Sequence, residues 1–156
     1  MKIYLDTVGC RLNQAEIESY ARQLRAAGHT LVAEPGEADL AVVNTCAVTS
    51  AAVSDSRQKI RQIESAGAGG IVVTGCWSTL NPQEAAALPG VWRLVDNQEK
   101  DSLVTETLLR ADFSEPTFDL APKGGNGFHH KAAYPSREPI PGGRLRTRAF
   151  IKVQDG

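Results

Sequence analysis

Residues 40–46 read Leu-Ala-Val-Val-Asn-Thr-Cys. Leu40 to Asn44 is an apolar run without alternation, so it suits a strand covered on both faces. Both faces are covered when strands run parallel and helices make the crossovers. Upstream, Ile3 to Val8 is a second such run, and Ile17, Tyr20, Ala21 and Leu24 are spaced as one stripe of a helix. Asn13 can cap that helix, Gly28 stands where its end belongs, and His29 to Val32 is a short strand.

Downstream, a helix is predicted from about Ser50 to Ala66, with Val53, Ile60 and Ile63 inward and Arg57, Lys59 and Arg61 more exposed. Gly67-Ala68-Gly69-Gly70 ends it and leads into a strand at Ile71 to Thr74. Because this glycine run precedes a strand instead of opening a helix, it is no phosphate loop. Asn81-Pro82 reads as cap and first residue of a short helix through about Leu88. A strand at Arg93 to Val95 and a helix from about Gln98 to Arg110 follow. The alternation predicts an α/β chain, a doubly wound parallel sheet of about five strands, flavodoxin-like in the order 2-1-3-4-5.

Charge divides the rest of the chain. Residues 1–120 hold 10 basic and 16 acidic side chains, a net of −6, whereas residues 121–156 hold 7 and 2, a net of +5. From residue 111 to 147 prolines and glycines interrupt every candidate element, which reads as a basic linker after a first domain at 1–110. Arg148 to Val153 then has the composition of a strand. The basic segment is suited to tracking phosphates or to keeping an exposed linker soluble. No window reaches the roughly 18 continuous apolar residues of a membrane span, and Met1 to Asp6 lacks the pattern of an export signal, so a cytoplasmic location is expected.

Three cysteines, an odd number without an export signal, argue against a disulfide framework. Cys10 follows the first strand, Cys46 the third and Cys76 the fourth, so all three are expected at the carboxyl edge of the sheet, where such folds bind ligands. Neighbouring strands are about 4.8 Å apart, which lets three loops converge on one ion or one iron-sulfur cluster. Gly9 and Gly75 would let the backbone turn and approach such a group, while Asn13, Asn44 and Thr45 can satisfy loop backbone. A structural zinc wants four ligands, and His29, His129 and His130 lie elsewhere in the pattern. Three thiolates on a cubane cluster leave one iron open. A cluster, another metal and plainly buried thiols remain as alternatives from spacing alone.

The segments Thr7-Val8-Gly9-Cys10-Arg11-Leu12-Asn13-Gln14-Ala15-Glu16, Asn44-Thr45-Cys46-Ala47-Val48-Thr49 with Ser56-Arg57-Gln58-Lys59-Ile60-Arg61, and Thr74-Gly75-Cys76 together resemble the N-terminal domain of the radical S-adenosylmethionine methylthiotransferases. The wording around the first two cysteines looks most like the branch that methylthiolates threonylcarbamoyladenosine beside the tRNA anticodon. The resemblance implies that Cys10, Cys46 and Cys76 ligate an auxiliary 4Fe-4S cluster whose open iron holds the inserted sulfur, with Gly9, Asn13, Asn44, Thr45 and Gly75 around it. It also implies tRNA and a sulfur donor as partners, and a second 4Fe-4S cluster with S-adenosylmethionine in the whole enzyme.

In that family a Cys-x-x-x-Cys-x-x-Cys motif follows an Asp-Gly like Asp155-Gly156; the sequence here contains no such motif. Residues 148–156 are therefore expected to be the first strand of a radical domain, and the 156-residue chain alone to be inactive. A protein or another tRNA adenosine as substrate, and a non-catalytic flavodoxin-like binding module with buried thiols, are the competing expectations.

Overall fold

Strands and helices alternate through the computed structural model, which describes residues 1–108. In chain order they are β1 (Lys2–Thr7), α1 (Arg11–Ala26), β2 (Thr30–Val32), β3 (Leu40–Thr45), α2 (Ser50–Ser65), β4 (Ile71–Gly75), α3 (Cys76–Leu80), α4 (Pro82–Ala86) and β5 (Val91–Val95). A 3-10 turn at Lys100–Ser102 and a π-helical segment at Leu103–Leu108 follow. The five strands form one parallel sheet in the order β2-β1-β3-β4-β5, as the sequence pattern predicts.

Every residue of the central strand β3 is buried. Leu40 and Val42 join Ile3, Leu5 and Val72 against Ile17, Tyr20 and Leu24 of α1 and against Leu103 and Val104. On the opposite face, Ala41, Val43, Ile71 and Val73 pack on Ile60 and Ile63 of α2, with Trp77 and Ala85. Each large aliphatic side chain so buried contributes roughly 1.5–3 kcal/mol, and the alternation along β3 divides that gain between the two helical layers. Among the described residues no helix is long and apolar enough to cross a membrane.

Three local expectations need correction. Asn13 does not cap α1: Cys10 holds the cap position, and Asn13 sits in the first turn with its side chain buried. Trp77 belongs to α3, a five-residue helix too short to announce itself by periodicity, and α4 stops at Ala86 instead of near Leu88. The single helix expected from Gln98 is instead the 3-10 turn and the π-helical segment. Lys100, Leu103 and Val104 still face inward at helical spacing. An apolar stripe reports which residues point inward but not which carbonyl closes each hydrogen-bonded ring. The expected linker at 111–147 and strand at 148–156 lie outside the described residues.

Candidate functional site

The strand register brings the thiol-bearing loops to one edge. Thr7 of β1 pairs with Asn44 of β3, and Asn44 with Thr74 of β4. One step further Thr45 pairs with Gly75, and Cys46 and Cys76 are the next residues on those two strands. β1 is prolonged by one bond, the Val8 amide donating to the Asn44 carbonyl at 2.9 Å. Gly9 then comes against Cys46 so closely that a β-carbon on Gly9 would overlap the Cys46 Cβ and Sγ. Cys10 follows directly at the cap position of α1. All three thiols are free; Cys10 is exposed, Cys76 partly buried and Cys46 buried. Among the described residues no three His, Cys, Asp or Glu side chains are grouped to hold a single metal ion.

Both predicted glycines adopt left-handed backbone, with φ of +97° at Gly9 and +101° at Gly75. Neither position has room for a side chain. A β-carbon on Gly75 would overlap Asn44 Oδ1 and the Thr45 carbonyl and come within 2.7 Å of the Thr45 amide nitrogen. Both glycines are thus sites of close contact between loops, which fixes the thiols relative to one another.

Side chains complete that contact. Asn13 Nδ2 donates to the Val8 carbonyl at 2.9 Å and to the Thr45 carbonyl at 3.0 Å, bridging the first two loops. Thr45 Oγ1 donates to the Thr74 carbonyl at 2.6 Å and accepts from the Ser78 amide at 3.3 Å, bridging the second and third. Asn44 Nδ2 donates to Glu16 Oε2 at 2.8 Å. The predicted polar residues therefore act by satisfying loop backbone and buried partners.

Residues 2–95 match the model of a family described as Uncharacterized protein family UPF0004. The chain belongs to this family. It is similar to the threonylcarbamoyladenosine tRNA methylthiotransferase MtaB of Chlamydia pneumoniae, 36% identical over 151 residues, 96% of this chain and 31% of the relative. The protein of that name from Bacillus subtilis is 30% identical over 151 residues, 96% of this chain and 32% of its own length. The ribosomal protein uS12 methylthiotransferase RimO of a Roseiflexus species is 30% identical over 170 residues, 100% of this chain and 36% of its own. The chain thus spans about a third of the length of these curated relatives, all named as methylthiotransferases.

In this family member several further residues serve the same edge. Ser56 on α2 accepts from the Cys46 amide at 3.3 Å and donates to the Ala52 carbonyl at 2.8 Å. Its spacing from Ile60 and Ile63 puts it on the inward stripe, where a polar residue is itself a signal. Asn97, two residues beyond β5, donates from Nδ2 to Cys76 Sγ at 3.8 Å while its backbone amide donates to Thr79 Oγ1 at 3.1 Å. The carboxyl-edge rule that located the cysteines also covers Asn97.

Trp77 and two basic residues of α2 are engaged in packing and pairing within the domain. Trp77 is fully buried in the core. Arg57 lies over its ring at 5.7 Å and pairs with Glu84 at 2.6 Å, and Lys59 pairs with Asp6 at 3.0 Å. Two of the three basic residues of α2 therefore have acidic partners within the domain. A cleft of about 380 Å³ beside Gly9 is lined by Thr7, Val8, Lys59 and Gln62, whereas a larger groove of about 730 Å³ along α2 and Glu84 includes none of the thiols.

Proposed function

We propose that this chain is the auxiliary-cluster, sulfur-donating part of a longer methylthiotransferase that acts on threonylcarbamoyladenosine of tRNA. The observation that carries the reading is the placement of three free thiols after β1, β3 and β4, interlocked through Gly9, Asn13 and Thr45, in a member of a family with methylthiotransferase relatives. Thiolates are soft ligands suited to iron-sulfur clusters, and three of them on loops at one edge of the sheet suit a polynuclear group. Cys10, Cys46 and Cys76 would hold a 4Fe-4S cluster, which when bound supplies an iron without a protein ligand as a site for sulfur.

The chain's own residues would orient that group and set its polarity. Asn97 directs an amide hydrogen toward the Cys76 sulfur, and Ser56 fixes the backbone of Cys46. Gly9 and Gly75 hold the loops at contact distance, and Trp77 fills the core below them. S-adenosylmethionine and a second cluster would belong to the remainder of the enzyme, as would most of the tRNA contact.

The test is made in the full-length protein, in a strain from which its gene has been removed. Complementation with the unaltered gene restores the methylthio group on threonylcarbamoyladenosine in tRNA hydrolysates analysed by mass spectrometry. Changing Cys10, Cys46 or Cys76 to alanine abolishes it. Persistence of the modification in those variants refutes the cluster role, and a mass change on ribosomal protein uS12 instead of tRNA assigns the substrate of the RimO-type relative.

A further inference from the structure

A charged pair is sealed inside the domain behind the thiol loops. Lys100 Nζ lies 2.8 Å from Glu16 Oε1, and each side chain is only 4% exposed. The other carboxylate oxygen accepts from Asn44 Nδ2 at 2.8 Å, and that same amide nitrogen lies 3.3 Å from the Asn13 carbonyl. Asn13 in turn donates to the Val8 and Thr45 carbonyls, on the loops that lead to Cys10 and Cys46. A continuous polar path therefore runs from the segment after β5, through α1 and β3, to the backbone of the loops that carry two of the three thiols.

A buried ion pair is a poor device for stabilising a fold, because desolvating two charges offsets most of their attraction and apolar side chains of similar size often do as well. What an apolar pair would not do is accept the Asn44 amide hydrogen. We propose that Glu16 and Lys100 are positioning residues of the thiol site: the pair aims the Asn44 amide and, through Asn13, holds the Cys10 and Cys46 loops together. The proposal deepens the cluster reading, since fixed thiol spacing matters most to a rigid inorganic group, but its test needs no cluster.

The test is native-state alkylation of Cys46 in the cluster-free 156-residue chain, followed by mass spectrometry at several urea concentrations below the unfolding transition. Cys46 is buried, so its labelling reports opening of its loop. In the double variant Glu16→Leu, Lys100→Met, labelling is expected to rise about tenfold with a rate nearly independent of urea, the mark of local opening. In Glu16→Gln, Lys100→Met the amide oxygen still accepts from Asn44, and labelling stays within about twofold of the unaltered chain.

An unchanged rate in the leucine variant overturns the proposal. So does an increase that carries the urea dependence of global unfolding, or a glutamine variant as fast as the leucine one. Should the leucine variant fail to fold, Lys100→Gln serves in its place, with an expected rise of about threefold under the same criteria. Failure of the unaltered chain to take up iron would refute the cluster reading and leave this result standing.

Discussion

Replacing Gly9 by alanine asks two costs of the fold that can be separated. The first is conformational: at φ of +97° a β-carbon is opposed by the backbone, at about 1–2 kcal/mol. The second is steric, because the new methyl would occupy the space of the Cys46 Cβ and Sγ, and overpacking of this kind adds about 1–3 kcal/mol. Gly28 supplies the control. Its φ is +84°, but a β-carbon there has no heavy atom within 4 Å, so Gly28→Ala meets the first cost alone. Thermal denaturation of the two variants should therefore differ by the steric part, and with about 4–8 °C per kcal/mol for a domain of this size Gly9→Ala melts at least about 4 °C below Gly28→Ala. Equal melting temperatures, or a milder effect at Gly9, would refute the idea that the first loop is seated on the Cys46 side chain.

Other outcomes follow from neighbouring contacts. Gly75→Ala drives its methyl into the Thr45 carbonyl and amide of β3, backbone that cannot step aside, and urea titration should show a larger loss of stability than for Gly9→Ala. Asn97→Leu removes the amide hydrogen directed at Cys76 Sγ, so a reconstituted cluster should titrate at a more negative midpoint potential in a redox titration followed by EPR; an unchanged potential contradicts that role. Burial first, and then the Asp6 carboxylate, hold the Tyr4 hydroxyl protonated well above its ordinary range. Unfolded tyrosine deprotonates near pH 10 while folded Tyr4 does not, so this contribution is whole below about pH 10 and is lost as pH rises toward the folded-state value. Tyr4→Phe should accordingly show a shallower decline of stability in urea titrations above pH 10.

The sheet was legible because its signals are strong and physical. Residues 40–44 had no polar alternation to suit an open face, and Ile17, Tyr20, Ala21 and Leu24 lie on the buried side of α1 where their spacing puts them. Placing three cysteines after three strands of a parallel sheet located the thiol edge before any distance was known. The finer site was less legible. Asn13 has the composition of a cap, yet its amide is used across loops 32 residues apart, a pairing that no local pattern contains. Glu16 lies just before the apolar stripe of α1, and only the fold brings Lys100 to it. The segment after Gln98 shows the complementary limit: its helical character was legible, and its winding was not.

The central claim is that Cys10, Cys46 and Cys76 hold one polynuclear iron-sulfur group. Anaerobic reconstitution of the chain with iron and sulfide, followed by iron and sulfide analysis and absorption at about 400 nm, tests it most directly. The account predicts about four irons and four sulfides per chain, with a loss in each single cysteine-to-alanine variant and none bound in the triple variant. Iron content in the triple variant equal to that of the unaltered chain would contradict it.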